Sequence, residues 1–442
     1  MKKLVLAFVL TAAATCVAQE AARFDEVIKP YVDAHRFMGS VLVARGREVV
    51  FEKSFGSANL EWNIPNSPTT KFRLGSITKQ FTAASILLLE ERGKLKIDDP
   101  VKTYPPDAPA AWDQITIFNL LTHSSGIPNF TSFPNYRSIE PFATTPEQLV
   151  ALFRDKPLDF APGEKYVYSN SGYVLLGYLI EKIAGQSYES FVQQNIFTPL
   201  GMKDSGYDSN SAIIEHRAAG YTLTPKGFTN AGFINMTIPF SAGALYSTTE
   251  DLLRWEQGIF GGKVVSPASL KKMTTPFKGG YAFGLLIKSN DGRTAIFHNG
   301  GIEGFNTAMA YYPDSMVAVI VLGNMNGTAP DELVDKLGRV ANGEKLLAPS
   351  QRTAISLPRE ALASYVGVYQ FAPTFSIAIT LDGDQLFEQA SNQVKIPIYP
   401  ESDTKFFLKV VDAQLEFHKN ASGAVTSLVL HQAGRDVTGK RQ

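Results

Sequence analysis

The sequence predicts an α/β protein of the α+β kind: an antiparallel sheet flanked by helices, with a helical subdomain, followed by a small antiparallel β domain. Three observations carry this. Paired strand patterns at Ser40 to Arg45 and Val49 to Ser54 return as strands only after residue 280. Between them, helical apolar spacing dominates. Beyond about residue 359 only strand and turn signals remain.

Residues 1–18 read as an export signal: Lys2 and Lys3, an apolar run from Leu4 to Ala14, then small residues with Ala18 at the cleavage position. The run is too short to span a membrane. Cys16, the single cysteine, lies inside this segment, and Thr15 before it suits a lipid-anchor site poorly. Cleavage after Ala18 leaves a mature chain without cysteine, which excludes thiol catalysis, disulfides and thiolate metal sites. The mature protein is expected in the periplasm or outside the cell.

Ala22 to Phe37 has the pattern of an amphipathic helix, and Asn63 to Thr70 is a Pro/Asn/Ser-rich loop. A nearly all-apolar helix runs from Ile77 to about Arg92, the mark of a buried helix, and Gly93 ends it. Asp98 to Arg217 is mainly helical with long loops, and the helix through Leu175 to Ala184 stops at Gly185. Strands are expected at Tyr281 to Lys288, Thr294 to Phe297, Phe305 to Tyr312 and Met316 to Gly323, with a closing helix from Asp331 to Ala341. Leu346 to Pro358 reads as a linker. Seven strands follow: Tyr365 to Tyr369, Phe375 to Leu381, Gln385 to Phe387, Lys395 to Tyr399, Lys405 to Val410, Gln414 to His418 and Val425 to His431. The domains are then a signal at 1–18, a catalytic domain at 19–345, a linker at 346–358 and a β-rich domain, barrel-like in pattern, at 359–442.

With 442 residues, 44% of them hydrophobic, the chain is long enough for a sizeable core. Its 42 basic and 42 acidic residues leave no basic field for nucleic acid. The expected partner is a small-molecule or peptide substrate, cell-wall peptides included. No cofactor or metal is called for, because the six histidines are dispersed.

Three polar motifs occur in order: Ser76-Ile77-Thr78-Lys79, Tyr168-Ser169-Asn170 and His298-Asn299-Gly300-Gly301. Residues i and i+3 share a helix face, so Lys79 reaches the Ser76 hydroxyl. Apolar neighbours desolvate the lysine and favour its neutral, basic form. The spacing alone is weak, since it recurs at Ser269 to Lys272 and Ser402 to Lys405; the buried helix is what distinguishes Ser76. Tyr168 is a candidate acid or base, the latter if positive charge lowers its pKa. Asn170 is a candidate to hold Lys79 and a substrate acyl group. His298 is a candidate hydrogen-bond donor or, when protonated, a partner for a substrate carboxylate. Gly300 lets backbone approach a ligand, and the amides of Ser76 and Gly301 form a candidate oxyanion hole. His123, in Leu121-Thr122-His123-Ser124-Ser125-Gly126, reads as structural, flanking the cleft. No Gly-x-Ser-x-Gly elbow, zinc helix or phosphate loop occurs.

With all three motifs present, the chain resembles the serine β-lactamase-like family of class C β-lactamases, D-alanyl-D-alanine carboxypeptidases and related family VIII-type esterases. The likeness runs from about Phe24 to Ala341 and includes Pro162-Gly163 and Tyr246-Ser247-Thr248. It implies a β-lactamase/transpeptidase-like fold and a Ser76 acyl-enzyme. Lys79 and Tyr168 would assist attack, the Ser76 and Gly301 amides would hold the oxyanion, and Tyr168 would protonate the leaving group. The C-terminal part resembles a lipocalin-like appendage. True β-lactamases usually carry lysine where His298 stands, and an unperturbed histidine is mostly neutral at pH 7. The resemblance therefore implies a peptidase, carboxypeptidase or esterase ahead of a β-lactamase or a non-catalytic penicillin- or cell-wall-binding protein.

Overall fold

Val41 to Ala44 and Val317 to Gly323 are apolar at every position, which suits strands covered on both faces. They form the middle of a six-stranded antiparallel sheet in a computed structural model that describes residues 20–104, 108–290, 292–344, 352–391, 393–409, 413–432 and 435–442. The export segment 1–18 and residues 346–351 of the linker lie outside the described residues. Numbering only its strands, the sheet comprises β1 (Gly39–Arg45), β2 (Glu48–Phe55), β3 (Leu286–Asn290), β4 (Arg293–Ile302), β5 (Phe305–Tyr312) and β6 (Val317–Gly323), in the order β3-β4-β5-β6-β1-β2.

Four helices matter for the site: α1 (Thr78–Glu91), α2 (Asn170–Ala184), α3 (Thr249–Phe260) and α4 (Ala329–Ala341). The last two pack on the sheet. α1 is buried from Thr78 to Leu89, as an all-apolar helix should be. Its Phe81 lies 4.2 Å from the Trp255 ring of α3, whose indole N–H donates to Gln80 at 2.9 Å.

Two local readings change. The strand expected from Tyr281 begins only at Leu286, because Gly284 makes a turn at φ 68° hard against the Lys79 carbonyl; a methyl there would lie 2.6 Å from that oxygen. His298-Asn299-Gly300-Gly301 lies inside β4, which runs five residues past Phe297, rather than after the strand. α3, with Leu252, Leu253, Trp255 and Ile259 buried, fills a stretch where the sequence reading named no element.

By contact density the chain divides into two units, Arg36–Asn342 with residues before Ala22, and Ala22–His35 with Gly343–Gln442. The second unit contains a closed antiparallel barrel of eight strands: Gly367–Ala372, Phe375–Asp382, Gln385–Ala390, Ile396–Pro400, Lys405–Leu408, Ala413–Lys419, Val425–Gln432 and Arg435–Arg441. The eighth strand was not expected. It is too polar for an apolar alternation, yet it pairs with the seventh strand and closes on the first through Tyr369 opposite Arg441. Tyr365, Tyr369, Phe406 and Phe417 pack edge to face inside the barrel's core.

Glu388 shares its strand face with buried Leu386 and Ala390, and its Oε2 has no hydrogen-bond partner among the described residues. Burial pushes its carboxyl up to about 7. Below the ordinary carboxyl value of 4.5 the acid is neutral whether folded or not. As pH rises to about 7 only the unfolded chain ionises, so this contribution to stability is lost across that window. Glu388→Gln is expected to stabilise the barrel by about 1–2 kcal/mol at pH 8 and negligibly at pH 4. Denaturant melts at the two pH values measure this; equal effects at both would contradict it.

Candidate active site

Gly75 adopts φ 55°, a conformation that costs glycine little, and turns the chain into a short 3₁₀ segment, Gly75–Ile77, ahead of α1. Ser76 sits on that segment, partly exposed to a cavity of about 540 Å³. The turn is held from both sides: the Leu74 amide donates to the Leu245 carbonyl at 2.8 Å, and Thr307 of β5 donates its hydroxyl to the Leu74 carbonyl at 2.7 Å. β4 runs so close that a methyl on Gly300 would lie 1.9 Å from the Leu74 oxygen and 2.9 Å from the Ser76 nitrogen. A methyl on Gly75 would lie 2.8 Å from the Gly301 nitrogen. The two glycines thus let the Ser76 and Gly301 amides lie next to each other.

Lys79, one turn along, is completely buried. Its Nζ lies 3.0 Å from Ser76 Oγ, 2.9 Å from Asn170 Oδ1 and 2.9 Å from the Ala242 carbonyl oxygen. Burial holds its pKa well below the ordinary lysine value. Three acceptors would also match the three hydrogens of an ammonium; it is burial that favours the neutral amine, which can give its two hydrogens to Asn170 and Ala242 and turn its lone pair to the Ser76 hydroxyl.

Asn170 begins α2. Its backbone amide donates to Asn129, its Nδ2 donates to Thr131 at 3.1 Å, and the residue lines the cavity. The Tyr168 ring centroid lies 4.8 Å from Lys79 Nζ, and its hydroxyl is hydrogen-bonded to Ser76. Burial pushes this phenol above its usual range. The condition under which Tyr168 would be a resting base, a lowered pKa, is therefore not met: in this structure it is a protonated phenol beside a nucleophile.

His298 also departs from the sequence reading. Its Nε2 lies 2.9 Å from the Tyr281 hydroxyl and its Nδ1 2.6 Å from the Asn299 carbonyl. Burial pushes its pKa down to about 3, so the ring is neutral. The carbonyl places the proton on Nδ1, and Nε2 then accepts from Tyr281. Both nitrogens are engaged and the side chain is buried. A protonated histidine open to a substrate carboxylate is thus corrected to a neutral one that fixes Tyr281.

The two other Ser-x-x-Lys stretches hold no such site. Lys272 pairs with Glu90 at 2.8 Å, and Ser402 accepts the Lys405 amide in a turn. Sequence reasoning missed the Ala242 carbonyl and a charged group lining the cavity. Arg137 Nη1 lies 2.9 Å from Glu140 Oε2 and 3.1 Å from Glu303 Oε1; Arg137 and Glu303 are on the cavity wall, and Glu140 is buried behind them. Burial and a hydrogen bond to Glu303 raise the Glu140 carboxyl.

A sheet-and-helix fold carrying a serine and a desolvated lysine at hydrogen-bond distance defines the serine hydrolases of the β-lactamase/transpeptidase type. The chain belongs to the beta-lactamase family, which it matches over residues 24–342. Residues 351–441 match a domain of unknown function, DUF3471. Penicillin-binding protein 4* of Bacillus subtilis is 28% identical, with 91% of this chain and 95% of that one covered. The octameric penicillin-binding protein homologue from Pyrococcus abyssi superposes with a TM-score of 0.68 at 27% identity, covering 95% of this chain and 99% of that one. The D-amino acid amidase from Ochrobactrum anthropi SV3, in complex with D-phenylalanine, gives a TM-score of 0.64 at 25% identity over 72% of this chain and 99% of that one.

Proposed function

We propose that this chain is an exported serine acyl hydrolase that cleaves amide, peptide or ester bonds of D-amino-acid-type substrates through a Ser76 acyl-enzyme. The observation that carries the proposal is a completely buried Lys79 held by Asn170 and the Ala242 carbonyl within hydrogen-bond reach of the Ser76 hydroxyl. In the mechanism Lys79 takes the Ser76 proton as Oγ attacks the carbonyl. The adjacent Ser76 and Gly301 amides stabilise the oxyanion. Tyr168 gives its proton to the leaving amine or alkoxide, and the Lys79 ammonium restores that proton. Water then attacks the ester, and Ser76 is released. Asn170 holds Lys79 and offers its amide to the acyl group, and Gly300 and His298 shape the wall behind it. Lys2, Lys3 and the apolar run after them support export.

Substrate preference follows from charge. The neutral, engaged His298 supplies no cation for a substrate carboxylate at the third motif. The wall formed by Arg137, Glu140 and Glu303 carries two carboxyl groups for one guanidinium, which suits a substrate with a free ammonium. The D-amino acid amidase among the relatives supports this direction. In a panel of D-amino-acid amides, D-amino-acid p-nitrophenyl esters and nitrocefin, kcat/KM is expected to be at least about 100-fold higher for the amino substrates than for nitrocefin. The reverse order would make a β-lactamase the better reading.

The direct test is covalent: a fluorophosphonate should label the peptide containing Ser76 and no other serine. Labelling elsewhere, or none, ends the proposal. A penicillin-binding protein that acylates and barely turns over is the second reading, favoured by the relatives of that name. It is recognised by stoichiometric penicillin labelling with no turnover of any panel member.

A further inference from the structure

His123 has features that a packing residue does not need. It sits at φ 53°, a left-handed conformation uncommon for a non-glycine residue. The turn holding it is pinned by Thr122, Ser124 and Asn119. Its carbonyl accepts the Val167 amide at 3.0 Å, and its Nδ1 accepts the Ser169 amide at 3.1 Å. These are the two amides on either side of Tyr168. The imidazole ring lies 4.2 Å from the Tyr168 ring, and the rings of Tyr166, Tyr173 and Tyr281 surround it.

An Nδ1 that accepts an amide leaves the ring proton on Nε2. That nitrogen is buried and has no hydrogen-bond partner among the described residues. Burial keeps the ring neutral. The imidazole therefore has one working polar contact, and it is directed at the tyrosine loop rather than at the cavity.

We infer that His123 is the positioning residue for Tyr168, holding the backbone on both sides of it so that the phenol meets Ser76 and the leaving group. The inference rests on the acyl-hydrolase reading given above. It separates His123 from a structural residue by leaving-group chemistry. A p-nitrophenolate departs without a proton, whereas an amine must be protonated as it leaves, and that is the step assigned to Tyr168.

The test compares wild type with His123→Ala, His123→Asn and His123→Phe on a D-amino-acid amide and on the matching p-nitrophenyl ester, with kcat normalised to folded protein. Alanine at 123 is expected to lower kcat on the amide about 100-fold and on the ester less than about 5-fold. Asparagine, which keeps an acceptor and tolerates the left-handed backbone, should recover most of the amide rate. Phenylalanine, which keeps the ring without the acceptor, should not. Equal losses on both substrates, or recovery by phenylalanine rather than asparagine, would overturn the inference. If alanine does not fold, the asparagine–phenylalanine comparison decides alone. Failure of the wild type to turn over either substrate would count against the acyl-hydrolase reading instead.

Discussion

Ser76→Ala is expected to lower kcat/KM by about 10⁴-fold or more on every substrate the protein cleaves, because among the described residues Ser76 supplies the hydroxyl hydrogen-bonded to Lys79. Stability should change by less than about 1 kcal/mol, since Ser76 is partly exposed and loses only an oxygen. Turnover and a thermal melt measured together distinguish loss of the nucleophile from loss of the fold. Activity within 10-fold of wild type would refute the assignment. The same proton path fixes the pH response. The base must be neutral, and burial holds Lys79 well below 10.5. Wild-type kcat/KM should therefore rise with pH through the Lys79 titration and level off before the ordinary lysine range. A rise that begins only near pH 10 would mean that Lys79 is an ordinary ammonium and not the base.

Gly300→Ala should produce the second large loss, for a steric reason. The added methyl would lie 1.9 Å from the Leu74 carbonyl oxygen and 2.7 Å from Thr307 Oγ1. Backbone, not a flexible side-chain tip, has to yield. Either β4 moves away from the nucleophile turn or the turn moves away from β4, and both separate the Ser76 and Gly301 amides. Losing an oxyanion donor typically costs about 10²–10³ in kcat, and that is the expected effect, with KM changing less. Gly301→Ala is the contrast: a methyl there meets nothing nearer than Asn306 Nδ2 at 3.2 Å and should be far milder. Comparable kcat values for Gly300→Ala and wild type would remove the oxyanion role from this pair of amides.

What the sequence disclosed, and what it hid, follows from the range of each signal. Ser76 and Lys79 are legible because a helix brings i and i+3 together, and their burial is legible because α1 is apolar all round. Asn170 could be proposed from its place at the start of an apolar helix. The third partner of Lys79 is a backbone carbonyl 163 residues away, and a carbonyl has no letter of its own in a sequence. The engagement of His298 was not legible for the same reason: its pairing with Tyr281 and its burial are properties of the packed site, not of the motif. In the barrel, seven strands carried strand and turn signals. Arg435–Arg441 did not, because its place is set by the two strands it joins rather than by a buried face of its own.

That closing strand has a consequence for how the chain reaches its native state. The pairing of Tyr369 with Arg441 joins the first strand of the barrel to the last, across all six strands between them. Such distant pairing forms late, since its loop-closure entropy is met before its hydrogen bonds are gained. Until then the first and eighth strands both present open edges, which are templates for another copy of the same chain. The interval before closure is thus the period in which this protein is most exposed to strand-swapped assembly, and the seven residues Arg435–Arg441 determine when it ends.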